Sequence, residues 1–317
     1  MIHAHHFRSM NTEISAWLWH TESRVAELAL RQVEHFFHAT HTRFTRFESG
    51  SELSALNASQ GQAFAASAQM FEVVELAARY SARTNGLFNP TIIGALEAAG
   101  YDRTFEALQA RSDLATTDVL SIKPMSQIKF DRAQQTITLP IGVRLDLGGI
   151  VKGWAAQQAA RQLAKFGPCL VDAGGDIMTL GAMPGTPHWT IESADPFDRL
   201  QDITSLRLRD RAVATSGIDR RTWQRGNTRH HHLIDPRTGQ SATSDLMSVT
   251  VIAPTTVEAE VYAKAVFVLG ADAGQYLIET QPTLAACVVT TSGEALISSS
   301  FQEYLDVLFT YAATPTF

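Results

Sequence analysis

Cysteine is nearly absent from this chain: two in 317 residues, Cys169 and Cys287. Both lie in apolar, strand-like runs (CLVDAG and LAACVVT), so they read as buried packing residues, and a multi-disulfide framework is excluded. A single bridge between them stays open. No stretch of about 18 apolar residues occurs, which removes any candidate membrane helix. The N-terminus, MIHAHHFRSMNTEIS, lacks the basic start and apolar core of a signal peptide. The expectation is a soluble, cytoplasmic chain without membrane insertion, with His3, His5 and His6 in a flexible polar terminus. There is also no run of Lys and Arg, and the formal charge is -6. Nucleic-acid binding, which needs clustered cations, is therefore not expected. Finally, no Pro-, Gly- or Ser-rich linker interrupts the sequence, so one domain over residues 1–317 is the economical reading.

What is present is a large apolar fraction, 45%, and a regular succession of strand and helix signals. Thr12 to His20 alternates in the period of a half-buried strand, and Glu22 to about Thr42 repeats its apolar residues at helical spacing. Arg43 to Asn57 reads as a connection between helices. Ser67 opens a second helix as its N-cap, and Asn85-Gly86 supplies a left-handed stop. Leu87 to Leu96 follows as a loop stiffened by Pro90. Ser126 to Pro140 reads as a hairpin with Val143 to Leu147 as its partner strand. Arg229 to Ala242 reads as a loop, MSVTVIA as a strand, and Val257 to Leu269 as a helix ending at Gly270. This pattern predicts an α+β fold with largely antiparallel sheets and packed helices.

The stretch RLDLGGIVKGWAAQQAA, Arg144 to Ala160, combines a strand, a double-glycine turn and an alanine-rich helix. Such a turn lets backbone approach a ligand and offers unpaired N–H groups to phosphate oxygens. Two further small-residue segments, VDAGGDI with Gly174 and Gly175, and ATSG with Ser216, join Lys152 as a candidate phosphate site.

MNT, RFESGSELSALN, GLFNPTIIGAL, LDLGGIVKGWA, LVDAGGDI, ATSG, HLIDPRTG and SVTVIAPTTVEAEVYAKAVFVLG resemble, in order and spacing, the ApbE family of FAD:protein FMN transferases. The resemblance runs from about Ser9 to Gly270 and implies an ApbE-like, T-fold-related architecture. It also implies FAD as donor substrate, held by Met10, Phe47, Leu87, Phe88, Asn89, Asp146, Lys152 and Ile234, with the Gly174, Gly175 and Ser216 turns beside them. Phe47 falls where the family often has a tyrosine that stacks on the flavin ring; the aromatic face is kept. His232 falls on the family's histidine of the transfer reaction, with Asp235 to orient it. The implied reaction moves FMN onto a Ser or Thr hydroxyl of an acceptor flavoprotein and releases AMP.

The resemblance also implies a Mg2+ position formed by the Gly149 carbonyl and by an Asp and a Thr four residues apart on the late helix. Here those two residues are Glu260 and Lys264. Glutamate can ligate a hard cation, but an ammonium has no lone pair and repels one. The expectation is a weakened or absent Mg2+ site: either the Lys264 ammonium occupies the cation position and offsets diphosphate charge itself, or it swings away and leaves a weaker Mg2+ site. The alternative is an ordinary helix-surface pair worth about 0.3–0.5 kcal/mol. Three readings therefore stand beside one another: an FMN transferase, an FAD-binding protein with little or no turnover, and an FAD pyrophosphatase. The sequence does not set the oligomeric state.

Overall fold

A computed structural model describes residues 1–108, 122–198, 200–219, 222–225 and 228–308. The chain divides into two compact units, one of Met1–Thr40, Lys152–Asp219 and Ser244–Phe317, the other of His41–Val151 and Arg220–Thr243.

The first unit is built on an eight-stranded sheet whose spatial order follows the chain. Its strands are β1 (Ile2–Ser9), β2 (Thr12–Trp19), β3 (Cys169–Ala173), β4 (Ile177–Leu180), β5 (Ala212–Gly217), β6 (Leu246–Ala253), β7 (Ala285–Thr290) and β8 (Ala295–Ile297). Every neighbouring pair is antiparallel. In β2, Ile14, Ala16 and Leu18 alternate inward and are fully buried, the period a strand with one packed face requires. β6 and β7 are buried almost throughout, so their apolar runs are continuous and not alternating. A second sheet places Asp202–Leu208 between Leu305–Leu308 and Trp189–Ala194. Trp189, Ile191, Leu206 and Phe301 pack with Val213, Ile252 and Cys287 in one apolar cluster.

Three helices organise the rest: α1 (Ser23–Phe44), α2 (Val151–Leu163) and α3 (Thr256–Leu269). Helix α3 starts where the Thr255 hydroxyl accepts the Glu258 N–H at 3.2 Å, a capping bond that meets one of the unpaired donors of a helix start. It stops at Gly270, whose φ of 84° takes the chain out of helical geometry. Between those ends α3 lies on β5 and β6. Cys169 and Cys287 are free and buried, and burial pushes each thiol up to about 12.

The second unit holds a small sheet in which Thr136–Thr138 runs between Ala63–Ala65 and Lys129–Asp131. Ala68–Arg83 is its main helix, capped by the Ser67 hydroxyl and followed by Asn85 and Gly86 at φ 50° and 80°, as expected from the sequence.

Four local expectations need correction. The N-terminal residues form β1, paired with β2 along its whole length. His5 Nε2 is 2.7 Å from Glu34 Oε2, which ties this polar segment to α1. Residues 143–147 make no strand; the third strand of the small sheet is Ala63–Ala65. Glu52–Ala58 and Ile93–Ala98 are helices inside stretches read as connections. The ATSG segment lies within β5 and forms no turn.

Candidate functional site

In the first unit, the start of α2, the Gly174-Gly175 turn and α3 meet at a group of four charges whose carboxylates are buried. Lys152, in the first turn of α2, is ion-paired with Asp176, which follows Gly174-Gly175. The Lys152 ammonium also lies 3.9 Å from Glu260 Oε1. Glu260 Oε1 receives the Lys264 ammonium at 3.1 Å, and Glu260 Oε2 accepts the Gly153 N–H at 2.9 Å. Lys264 donates in addition to the Glu260 carbonyl at 3.3 Å. The carboxylate side chains are nearly inaccessible, 4% for Asp176 and 1% for Glu260, while Lys152 and Lys264 retain 17% and 19% exposure. Burial pushes the Asp176 carboxyl up to about 6 against the pull of Lys152; the Glu260 charge adds to the rise and Lys264 opposes it.

Glu260 and Lys264 are thus no helix-surface pair. Helix α3 is buried on nearly every side at this level. The sequence missed Gly153, although its role is steric: a Cβ there would stand 2.8 Å from Glu260 Oε2 and 2.8 Å from the Thr256 carbonyl oxygen. Only glycine lets α2 and α3 approach closely enough for the Gly153 N–H to reach the carboxylate.

Gly174, at φ 68°, packs on the β1–β2 turn so tightly that a Cβ would lie 2.1 Å from Thr12 Oγ1. That turn holds Met10 and Asn11 at φ 52° and 58°, the two left-handed residues of a two-residue hairpin loop. Met10 and the Gly174-Gly175 turn therefore adjoin. Gly175 donates to Asp172 Oδ1 at 2.7 Å. The Gly-Gly turn joins two strands, so it offers no helix N-terminus; of the glycine turns, only 148–150 leads into one, at α2. Ser216 is buried on β5 opposite Val249.

The second unit carries the remaining predicted residues. Phe47 lies 5.9 Å from Tyr101 between ring centroids. Tyr101 is 5.6 Å from Trp223, and Trp223 stacks on His230 at 6.4 Å and 21°. The Arg46 guanidinium lies 4.3 Å from the Phe47 centroid and 5.0 Å from that of Tyr101. It also pairs with Asp146 Oδ2 at 2.6 Å and donates to the Tyr101 carbonyl at 2.6 Å. Arg46, Tyr101 and Trp223 were not singled out in the sequence; the arginine preceding an aromatic in RFESG was the one available signal. Asp146 spends its other oxygen on the Gly148 N–H at 2.7 Å, which shapes the turn that contains Gly149.

Asn89 accepts the Thr91 N–H at 3.1 Å and donates to the Lys123 carbonyl at 3.0 Å, so its side chain fixes the loop after Pro90. Phe88 is buried and Leu87 half-buried. Ile234 is buried against Ala95 and Leu96. His232 is half-buried in the bend after His231. Asp235 is gripped by Arg237, whose Nε and Nη2 donate at 2.9 and 2.8 Å and whose backbone N–H donates at 2.8 Å. That bidentate pair raises the Arg237 pKa, hydrogen bonding to Asp235 being the main cause.

The donor set around Glu260 does not fit a divalent cation. Both carboxylate oxygens already have donors, the Gly153 N–H on Oε2 and the Lys264 ammonium on Oε1, where a cation bound to that oxygen would lie beside a positive charge. Two unit charges about 4 Å apart repel by about 4 kcal/mol at an effective dielectric of 20, and a divalent ion doubles that. Among the described residues no three His, Cys, Asp or Glu side chains gather as a metal set.

The model of the ApbE family matches residues 10–288. The chain belongs to the ApbE family. A relative from Treponema pallidum (strain Nichols), named FAD:protein FMN transferase, is 29% identical over 276 residues, covering 81% of this chain and 76% of its own. One from Klebsiella pneumoniae (strain 342), with the same name, is 30% identical over 197 residues, covering 61% of this chain and 59% of its own. The crystal structure of the ApbE protein from Thermotoga maritima superposes with a TM-score of 0.87 at 23% identity, over 96% of this chain and 99% of that one. The flavin transferase ApbE from Vibrio cholerae gives 0.78 at 24% identity, over 96% and 100%. The ApbE fold is thus shared along nearly the whole chain, and within it Glu260 and Lys264 sit in the helix that closes the matched sequence motifs.

Proposed function

We propose that this ApbE protein transfers FMN from FAD to a Ser or Thr hydroxyl of an acceptor flavoprotein. The observation that carries the reading is the match of the ApbE family model to residues 10–288, with relatives named FAD:protein FMN transferase. In the reaction, the acceptor oxygen bonds to the FMN-side phosphorus as the bridging P–O bond of FAD breaks. AMP leaves with the bridging oxygen, and the hydroxyl proton goes to a base. His232 is assigned to that base and Lys152 to the diphosphate charge. Asp235, locked by Arg237, fixes the strand that follows His232. The row of Phe47 and Tyr101 over Arg46 supports the flavin-ring end of this assignment, because an aromatic face backed by a cation keeps a stacking surface rigid.

Incubating the protein with FAD and a candidate acceptor, then weighing the acceptor, tests the reading. The expected result is an FMN-sized mass gain that His232→Ala abolishes while FAD remains bound. A protein that stays yellow without modifying any acceptor would instead be an FAD carrier. AMP released without an acceptor would make it a pyrophosphatase.

A further inference from the structure

The Lys152, Asp176, Glu260 and Lys264 group contains two ammoniums and two carboxylates, and these formal charges cancel without any added ion. We propose that the Lys264 ammonium is a built-in counter-ion in place of a divalent metal, so that FAD binding by this chain is independent of magnesium. The inference rests on the flavin-transferase reading for its ligand, and on the geometry of α3 for its substance. Residues four apart on a helix share a face, and here that face is turned into the protein. A largely buried lysine is kept where its charge is compensated; the Glu260 carboxylate compensates Lys264 through Oε1, and the Glu260 backbone carbonyl accepts a second hydrogen bond. An ammonium has three donors. Two are directed at Glu260, and the third has no acceptor among the described residues, on a side chain that keeps 19% exposure. A phosphate oxygen is the chemistry that third donor suits.

In the ligand-free site, adding a divalent ion would leave two uncompensated positive charges beside carboxylates almost closed to water. Removing Lys264 would leave one net negative charge, which is the state that attracts a metal. By linkage, if magnesium and FAD do not bind cooperatively, neither changes the affinity of the other.

The test is Mn2+ binding by electron paramagnetic resonance, together with calorimetric FAD titrations in EDTA and in excess Mg2+. The wild-type protein is expected to take up no stoichiometric Mn2+, with or without FAD, and to hold FAD equally well in both buffers. The double variant Glu260→Asp, Lys264→Thr is expected to bind one Mn2+ and to gain FAD affinity with Mg2+ by about tenfold. Lys264→Met, close in length and without charge, is the second route to the negative site should the double variant not fold; Lys264→Arg should remain free of Mn2+. One Mn2+ per wild-type chain, or an approximately tenfold gain in wild-type FAD affinity with Mg2+, overturns the proposal. Failure to bind FAD in every buffer sinks the transferase reading instead, and the Mn2+ spectra of wild type and variants still decide this one.

Discussion

His231 is 8% exposed, and its Nε2 lies 3.0 Å from the Ala242 carbonyl oxygen. The tautomer protonated at Nε2 makes that bond while the ring remains neutral. Burial lowers the pKa of His231 below 6.5; the Ala242 carbonyl opposes the shift, and His230 and Arg229 add to it. His230 is lowered in the same direction, by burial first and Arg225 second. Well above 6.5 both rings are neutral in the folded and unfolded chain, and neither affects the balance. As pH falls below that value, the unfolded chain takes up protons that the folded one refuses, and stability is lost until the folded-state pKa is reached. The slope from one such ring cannot exceed about 1.4 kcal/mol per pH unit. Urea unfolding of wild type and His231→Gln across this window should show a steeper loss on acidification in the wild type, since glutamine keeps a donor for Ala242 and does not titrate. Parallel profiles would mean that the ring is solvated in the native state.

At the scale of elements, residues 143–147 show how an apolar segment ends up without a strand. Leu145 is fully buried, and its N–H and C=O are both satisfied by one side chain: Asn57 accepts the N–H at 2.7 Å and donates to the carbonyl at 2.9 Å. The amide mimics one rung of a strand pair, so the segment is held without a ladder. Asn57→Ala should cost about 2 kcal/mol or more, because two buried backbone groups lose their partners at about 1–3 kcal/mol each. Denaturant midpoints measure it, and Asn57→Asp should fall between, keeping the acceptor but losing the donor. An alanine variant as stable as wild type would show that water or another group takes over.

The same example marks what was legible in the sequence. Elements whose residues repeat at 2.0 or 3.6 along the chain were readable: β2, the Ser67-capped helix, β6 and α3 all lie within a residue or two of their expected bounds. A side chain pairing with backbone 88 residues away leaves no periodic trace. Nor does the row of Phe47, Tyr101, Trp223 and His230, whose members come from separate segments. The substitution of Lys264 was visible as a residue identity. Its inward placement beside Glu260 was not, because a helix apolar on nearly every side gives no outward face to read.

For the molecule as a whole, the order of the large sheet matters more than any one contact. Its strands follow the chain, yet β5 and β6, both interior to the sheet, are separated from β1 by most of the sequence, and among the described strands β1 and β8 are the edges. β6 is paired on both sides, to β5 over six residues from Ala253 to Ser248 and to β7 over Ile252 to Leu246, and α3 lies across it. Opening β6 requires breaking both ladders and exposing the apolar faces beneath them, so its amides should exchange only through global unfolding. β1 has a ladder on one side, and its outward residues are exposed. It can fray at the cost of a single ladder. Native-state hydrogen exchange in rising denaturant should therefore rank β6 and its β5 and β7 neighbours slowest, with β1 released earlier in a sub-global opening. Exchange from β6 at the rate of β1 would show that the strands on either side of it do not protect it, and that the sheet opens through an interior strand.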